Sequence, residues 1–232
     1  MMNAIKILAI IPARGGSKGI LNKNILEVGG KPLMVWSIEA ALKSKFISKT
    51  VVSSDSDIIL NIAQQNGSQI IKRPHNLASD TARTEPVIAH VLLKLIEKGE
   101  QYDYVILLQA TAPLRTSQDI DQAIQRLLNA DATALISVYE AEHHPLKAFT
   151  ANDKGYLKGL VNNDYPFMPR QVLPKAYYPN GAIYLIKTDN FLQKNQLFTN
   201  KTIAFEMPIE KSIDIDNMQD LEKLENLLKS NY

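Results

Sequence analysis

Short apolar runs rich in branched residues recur along the chain and are separated by stretches with helical spacing. The runs that predict strands are Ile5–Ile11, Thr50–Ser53, Gln69–Lys72, Tyr104–Leu108, Ala134–Tyr139 and Ala182–Ile186. Helical spacing is seen in Leu33, Ile38 and Leu42, in Val87, Val91, Leu95 and Ile96, and in Leu221, Leu224, Leu227 and Leu228 of a closing helix over Asn217–Ser230. This alternation predicts an α/β fold with a mostly parallel sheet flanked by helices and with ligands at the carboxyl ends of the strands.

The segment 140–178 breaks the alternation of strands and helices. It carries Pro145, Pro166, Pro169 and Pro174 among several aromatic residues and has no long periodic helix. We interpret it as an excursion from the sheet, because long irregular segments in compact domains are uncommon and usually functional. A plain surface loop is the alternative. Residues 1–232 are otherwise predicted to form a single domain.

The composition excludes several classes of protein. Hydrophobic residues make up 45% of the chain and charged residues 22%, which is ordinary globular usage. There is no cysteine, no apolar run near the ~20 residues that span a bilayer, and no signal-peptide pattern at the start, so we expect a cytoplasmic protein without a membrane partner. A net charge of +2 argues against a general nucleic-acid surface. Any anionic ligand must therefore meet locally clustered Arg and Lys side chains.

Such a cluster follows the first predicted strand. The run Ile10–Gly19 contains three glycines, Ser17 and the cations Arg14 and Lys18, and Lys23-Asn24 extends it. Glycines let backbone N–H groups turn toward an anion, and the cations supply the charge that a triphosphate needs. The run matches neither the P-loop nor the dinucleotide fingerprint. A flexible glycine-rich connection with solvated cations is the alternative.

The run IPARGGSKGI with Lys23-Asn24 and Gly29–Leu33 resembles the opening of the acylneuraminate cytidylyltransferases, the CMP-sialate synthetase family. Similar segments follow in order: RPHNLASDTA at Arg73–Ala82, LLQATAPLR at Leu107–Arg115, EHHPLK at Glu142–Lys147, PNGAIY at Pro179–Tyr184 and SIDID at Ser212–Asp216. They cover nearly the whole chain. The resemblance implies a Rossmann-like nucleotidyltransferase fold, a homodimer built through the excursion, CTP as the nucleotide, and Mg²⁺ (or Mn²⁺).

The resemblance also implies roles for individual residues. The nucleotide-binding set is Arg14, Ser17, Lys18, Lys23, Asn24 and Arg73, with Ser79–Ala82 as a further candidate on the cytosine side. The sugar-binding set is Gln109, Lys147, Arg170, Asn180, Tyr184 and, across the dimer, Phe198. Asp214 and Asp216 are the implied metal ligands, and they form the catalytic set together with Arg14 and Lys18.

The residue types leave other interpretations open at several of these positions. Arg73 would otherwise be a surface arginine before a proline, and Tyr184 a packed strand aromatic. Carboxylates two residues apart in an extended segment project to one side and suit a hard divalent cation, but Asp216 with Gln219 also resembles a capping box for the last helix. For the pair His143-His144 we favour a positional role over a metal site.

The resemblance implies transfer of CMP from CTP to the anomeric hydroxyl of a nine-carbon acidic sugar of the sialic, legionaminic or pseudaminic type, with release of pyrophosphate. One alternative is a cytidylyltransferase for the eight-carbon acid 3-deoxy-manno-octulosonate, although the EHHPLK and SIDID segments favour the nine-carbon group. Another is a non-catalytic nucleotide-binding regulatory module. Tyr178 stands where many relatives have arginine, so the sequence leaves the accepted sugar open.

Overall fold

The strands and helices follow the predicted alternation. The computed structural model describes residues 5–17, 19–79 and 81–230. The strands are β1 (Ile7–Pro12), β2 (Glu27–Val28), β3 (Lys31–Pro32), β4 (Lys49–Ser54), β5 (Gln69–Lys72), β6 (Tyr104–Leu107), β7 (Ala134–Glu140), β8 (Phe149–Ala151), β9 (Leu157–Gly159), β10 (Tyr177–Lys187) and β11 (Thr202–Glu206). The helices are α1 (Leu33–Leu42), α2 (Asp57–Gln65), α3 (Thr84–Ile96), α4 (Ser117–Leu128), α5 (Thr188–Lys194) and α6 (Met218–Ser230). Every helix in the described ranges is too short or too polar to cross a bilayer.

In the described part of the chain, seven strands form one sheet in the order β11-β7-β10-β6-β1-β4-β5. Strands β6, β1, β4 and β5 pair in parallel, as do β11 and β7, whereas β10 runs antiparallel to both of its neighbours. The predicted mostly parallel sheet flanked by helices is therefore confirmed. Strand β11 was not predicted, because its apolar residues are only half-buried at the sheet edge.

Helices cover both faces of the sheet. On one face, Ile38 of α1 and Ile124 of α4 pack with Ile106 of β6, and on the other face α3 packs on β1. Leu42 and Ile96 were expected on the buried helix stripes but are exposed, because each lies at the last turn of its helix, beyond the sheet.

A third apolar cluster lies outside the sheet and joins two distant segments. Ile20 and Val28 come from the region after β1, whereas Ile215 and the α6 residues Leu221 and Leu224 come from the end of the chain, and all are buried together. Burial of this kind contributes about 1.5–3 kcal/mol per large aliphatic side chain relative to exposure. The cluster therefore holds the segment before α6 against the glycine-rich loop that follows β1.

The excursion at 140–178 contains short turns and a small hairpin. Strands β8 and β9 pair antiparallel, and single 3₁₀ turns lie at Pro145–Lys147, Tyr165–Phe167 and Arg170–Val172. Large apolar side chains on this segment are exposed, including Tyr156, Leu157, Phe167 and Val172. A monomer thus presents an unusual amount of apolar surface here.

Candidate nucleotide and metal site

A cleft of about 250 Å³ opens at the carboxyl ends of β1, β5 and β6. Eight of the residues predicted from the sequence line it, namely Arg14, Ser17, Lys23, Asn24, Arg73, Ser79, Ala82 and Gln109. A larger cavity of about 1250 Å³ lies at the opposite edge of the sheet, beside Lys6 and Tyr104 where strands begin. We place the site in the smaller cleft, because ligands of α/β sheets bind beyond the carboxyl ends of the strands and three of the predicted cations gather there.

The glycine-rich loop has a defined conformation in its described residues. The amide N–H of Ala13 donates to Ser53 O (3.0 Å) and that of Gly15 to Asp55 Oδ1 (3.0 Å). Asn24 Nδ2 donates to the carbonyl of Arg14 (3.0 Å), which explains why Asn24 is buried. The alternative of a flexible connection is therefore wrong for these residues. Lys18 lies outside the described residues.

Arg73 is buried, with only 5% of its surface exposed. Burial lowers the pKa of its guanidinium, the nearby Asp55 opposes that shift, and the positive charge of Arg14 adds to it. Within the described part of the chain, its Nε is buried without a hydrogen-bond partner. The interpretation of Arg73 as a surface arginine is thus wrong. A buried cation with a spare donor, close to a second arginine, is suited to an anionic ligand.

The acidic segment faces the glycine-rich loop. Ile215 is fully buried between the two aspartates and its N–H donates to Thr111 O (2.8 Å). Lys23 Nζ lies 3.0 Å from Asp216 Oδ1. A Cβ placed on Gly19 would lie 2.2 Å from the carbonyl oxygen of Asp216, so the backbones touch where only glycine fits. The loop and the acidic segment therefore lie against each other beside the cleft, whereas neither Asp214 nor Asp216 is among the residues that line it.

The electrostatics of the acidic pair suit a divalent cation. Desolvation raises the pKa of Asp214, a hydrogen bond from Thr111 opposes this, and repulsion from Asp216 and Asp220 raises it further. A cation between Asp214 and Asp216 would relieve that repulsion. No group of three or more His, Cys, Asp or Glu side chains that could hold a metal ion occurs among the described residues.

The predicted capping role of Asp216 is wrong. Asn217 is the residue that caps α6: its Oδ1 accepts from the N–H groups of Gln219 (2.9 Å) and Asp220 (3.1 Å). Asp220 Oδ2 in turn accepts from the N–H groups of Asp216 and Asn217, both at 3.1 Å. This reciprocal cap satisfies the helix terminus. It leaves the Asp216 carboxylate, 72% exposed, to face Lys23 and the solvent.

Gln109 lies beside the acidic pair because of a bulge in β10. Gly181, at the bulge, has φ +73°, and a Cβ there would lie 2.5 Å from Gln109 Oε1 and 3.4 Å from Asp214 Oδ2. Arg115 fixes the same region: its Nη1 donates to Ala182 O (2.7 Å) and, more weakly, to Gln109 O (3.4 Å). Burial lowers the pKa of Arg115 to about 9. The Arg115 side chain thus lies inside the protein.

Comparison with known proteins identifies the family of the chain. The family model described as "Cytidylyltransferase" matches residues 8–232. The chain is a member of the cytidylyltransferase family. It is 35% identical over 218 residues to the N-acylneuraminate cytidylyltransferase of Streptococcus agalactiae serotype III, covering 93% of this chain and 52% of that protein. The chain thus spans about half the length of the streptococcal relatives.

A relative of matching length also occurs. The pseudaminic acid cytidylyltransferase of Campylobacter jejuni serotype O:23/36 is 34% identical over 229 residues, which is 98% of each chain. Among solved structures, CMP:2-keto-3-deoxy-manno-octonic acid synthetase complexed with CTP superposes with a TM-score of 0.72 at 18% identity, covering 98% of this chain and all of the other. The resemblance to the acylneuraminate cytidylyltransferases and the nucleotidyltransferase fold are confirmed.

Two of the sugar-side residues of this cytidylyltransferase lie at least partly inside the protein. Asn180 is 2% exposed: its Oδ1 accepts from Ser137 Oγ (2.6 Å), and its Nδ2 donates to Ser212 Oγ (3.0 Å). We therefore reassign Asn180 from sugar contact to holding the acidic segment on the sheet. Tyr184 is half-buried against the core, and its pKa is raised by desolvation and then by Asp214. Tyr184 is thus a packed aromatic that also lies near the acidic pair.

The remaining sugar-side residues lie away from the cleft lining. Lys147 Nζ donates to Met168 O (2.6 Å) and Arg170 Nη2 to Ala141 O (2.8 Å), so both cations hold backbone within or beside the excursion. Phe198 lies between α5 and β11 and is 62% exposed. His144 has the positional role that we favoured: its Nε2 pairs with Pro174 O (2.7 Å).

Some residues of the cleft were not predicted. Thr111 and Arg83 line it and were not named as site residues. Ser79 and Ala82 of the cytosine-side candidate segment also line the cleft, and Arg14 Nη1 donates to Ser79 O (2.9 Å). No sequence signal marked Asp55, which follows β4, because a carboxylate after a strand has no distinctive pattern. Asp80 of the same segment lies outside the described residues.

Proposed function

We propose that the chain transfers CMP from CTP to the anomeric hydroxyl of a nine-carbon acidic sugar and releases pyrophosphate. The observation that carries the proposal is the contact between the acidic segment and the cationic, glycine-lined loop: Lys23, which lines the cleft, pairs with Asp216, and Gly19 meets the backbone of Asp216. The names of the relatives, which include N-acylneuraminate and pseudaminic acid cytidylyltransferases, support the same activity. Under this proposal the nucleotide substrate is CTP and the acceptor is a nine-carbon acidic sugar.

The cleft residues have distinct tasks in the proposed reaction. Arg14, Arg73 and Lys23 would bind the phosphate oxygens, and the backbone N–H groups of the glycine-rich loop would fit between them. Phosphoryl-type transfer depends mainly on alignment and on stabilisation of charge on the non-bridging and leaving oxygens, so these donors serve catalysis as well as binding. We assign Lys18 to the same loop as a proposal.

The sugar would enter beside Gln109, where the bulge of β10 brings Gly181 and Asp214 close to its amide. The anomeric hydroxyl of the sugar would attack the α-phosphorus of CTP in line with the departing pyrophosphate. No covalent enzyme intermediate is needed. Asp214 and Asp216 would hold Mg²⁺ or Mn²⁺, which when bound supplies positive charge to phosphate and sugar oxygens. We assign no side chain as general base.

The sugar carboxylate would be met by cations from the excursion. Lys147 and Arg170 lie there, and a carboxylate removed from water needs such partners. We propose that a homodimer forms through the exposed apolar residues of the excursion, and that Phe198 of one protomer reaches the site of the other. The exposed side chains of Tyr156, Leu157 and Phe167 support this assembly.

The decisive experiment uses purified protein with CTP, Mg²⁺ and a panel of acidic sugars. The panel contains N-acetylneuraminic, legionaminic and pseudaminic acids, with 3-deoxy-manno-octulosonate as the eight-carbon alternative, and pyrophosphate release is measured. We expect turnover with at least one nine-carbon acid. Turnover with only the eight-carbon acid would replace the substrate, and CTP binding without any release would favour the regulatory module.

A further inference from the structure

Asp55 lies between the glycine-rich loop and His75. It follows β4, and its side chain is 15% exposed. Its Oδ1 accepts the N–H of Gly15 (3.0 Å), and its Oδ2 lies 3.8 Å from Nδ1 of His75. A Cβ on Gly15 would lie 3.0 Å from Cβ of Ser56, so the loop is packed closely against the residues that follow β4. Asp55 therefore contacts two segments that border the cleft.

A carboxylate at this position is unexpected on electrostatic grounds alone. Its charge repels the phosphates that the cleft is proposed to bind, so the carboxylate must favour nucleotide binding in some other way. Two contributions are visible. The carboxylate fixes a loop amide, and its negative charge counteracts the burial and the like charge of Arg14 that disfavour a charged Arg73.

We propose that Asp55 is a positioning residue for the nucleotide: it presets the glycine-rich loop through Gly15, and its charge attracts the buried guanidinium of Arg73 at the cleft. The inference rests on the proposed function in that the nucleotide is CTP. Fixing both groups before binding removes an ordering cost from the binding step. Asp55 itself does not touch the substrate in this proposal.

The direction in which CTP affinity changes when Asp55 is removed distinguishes a positioning role from a purely electrostatic one. If Asp55 acted only as a nearby negative charge, removing it would tighten the binding of a polyanion. If it positions the loop and Arg73, removing it weakens binding. The effect should also be larger for CTP than for CMP, because the additional phosphates are the groups that the loop and the cations are proposed to hold.

Three variants give the comparison. Asp55→Ala removes both contributions, and we expect its dissociation constant for CTP, measured by calorimetry, to rise on the order of tenfold, with a smaller rise for CMP. Asp55→Asn keeps an oxygen that can accept from Gly15, so the rise should be smaller. Asp57→Ala is the matched control, because Asp57 is exposed and pairs only with Lys72 on the surface. It should bind CTP as the wild type does.

A second measurement is independent of catalysis. Hydrogen exchange of the Gly15 amide, followed by NMR, should be slow in the wild type and in Asp57→Ala, and faster in Asp55→Ala. Absence of pyrophosphate release by the wild type would count against the proposed function. The exchange rate of the Gly15 amide would still test whether Asp55 fixes the loop. Equal Gly15 exchange in wild type and Asp55→Ala, or CTP binding that is unchanged or tighter, overturns the inference.

Discussion

Lys23 joins the two ends of the chain at the candidate site: its Nζ lies 3.0 Å from Oδ1 of Asp216. The same ammonium donates to the carbonyl of Ile215 (2.5 Å), and only 12% of the Lys23 side chain is exposed. The positive charge of Lys23 therefore offsets the mutual repulsion of the carboxylates in the acidic segment. It also keeps the acidic segment within reach of the phosphates that the loop is proposed to bind.

Replacement of Asp216 should separate turnover from nucleotide binding. We expect Asp216→Ala to lower kcat on the order of a hundredfold, because one of the proposed cation ligands is lost, while the CTP dissociation constant changes little. Pyrophosphate release and calorimetry measure the two quantities. Glu222→Ala, an exposed position on α6, is the control and should retain both. Full activity of Asp216→Ala would dismiss the metal assignment.

Arg73→Met should affect binding and stability in opposite directions. The variant removes a charge-assisted donor, so CTP affinity should fall by about tenfold to a hundredfold. It also removes a buried cation whose Nε lacks a partner among the described residues, so the melting temperature should stay equal or rise. Arg126→Met, at an exposed position of α4, should leave CTP affinity unchanged. A large loss of stability in Arg73→Met would show that the arginine is chiefly structural.

Two glycines of the same loop should respond differently to alanine. Gly19→Ala places a methyl group 2.2 Å from the carbonyl of Asp216, so we expect a loss of about 1–3 kcal/mol in the free energy of unfolding and a displaced acidic segment. Gly16→Ala meets nothing within 4 Å and should change that free energy by less than about 0.5 kcal/mol. Urea denaturation measures both. Equal effects would contradict the close contact between loop and acidic segment.

The pKa of Asp214 has a defined consequence for stability. Because that pKa is raised in the folded protein, the folded state holds a proton more tightly than the unfolded state does. Its contribution is therefore fully present below the ordinary value of 3.8 and is lost as the pH rises through the folded pKa. We expect the difference in unfolding free energy between wild type and Asp214→Asn to shift against the wild type as the pH rises from 4 to 7. Added Mg²⁺ should reduce that difference at pH 7.

A charge in the excursion should disrupt the proposed dimer. Phe167 is 80% exposed, its ring contacts that of Phe149, and Phe167→Asp should yield monomers in light scattering after size-exclusion chromatography. Leu93→Asp, an exposed leucine of α3 outside the excursion, should leave the oligomeric state unchanged. A wild-type chain that is monomeric at all accessible concentrations would refute the dimer.

The sheet could be predicted because its strands are buried on both faces. β1 and β4 read as continuous apolar or small-residue runs, and the glycine-rich loop after β1 marks the carboxyl edge. Strand β11 was missed, since a half-buried edge strand has a weaker pattern. Most residues of the cleft lining belong to the motif segments, because these segments lie at strand ends that the fold brings together.

Other features depend on tertiary packing that no local pattern encodes. Asn180 looked like a ligand residue, but the bulge of β10 turns its amide toward Ser137. Asp216 looked like a helix cap, but Asn217 takes that place because α6 begins one residue later. Arg73 looked exposed, yet the walls of the cleft bury it. For Asn180 the deciding neighbour, Ser137, is distant in sequence, whereas for Asp216 the deciding neighbours, Asn217 and Asp220, are local.

The apolar cluster that includes Ile20, Ile215 and Leu224 joins α6 to the glycine-rich loop without contacting the central sheet through its buried members. Since proteins open in local cooperative units, this cluster can separate while the sheet remains intact. Loss of the cluster would release the aspartates from the loop and abolish the proposed metal site in an otherwise folded molecule. Heat inactivation would then set in below the temperature at which the sheet melts.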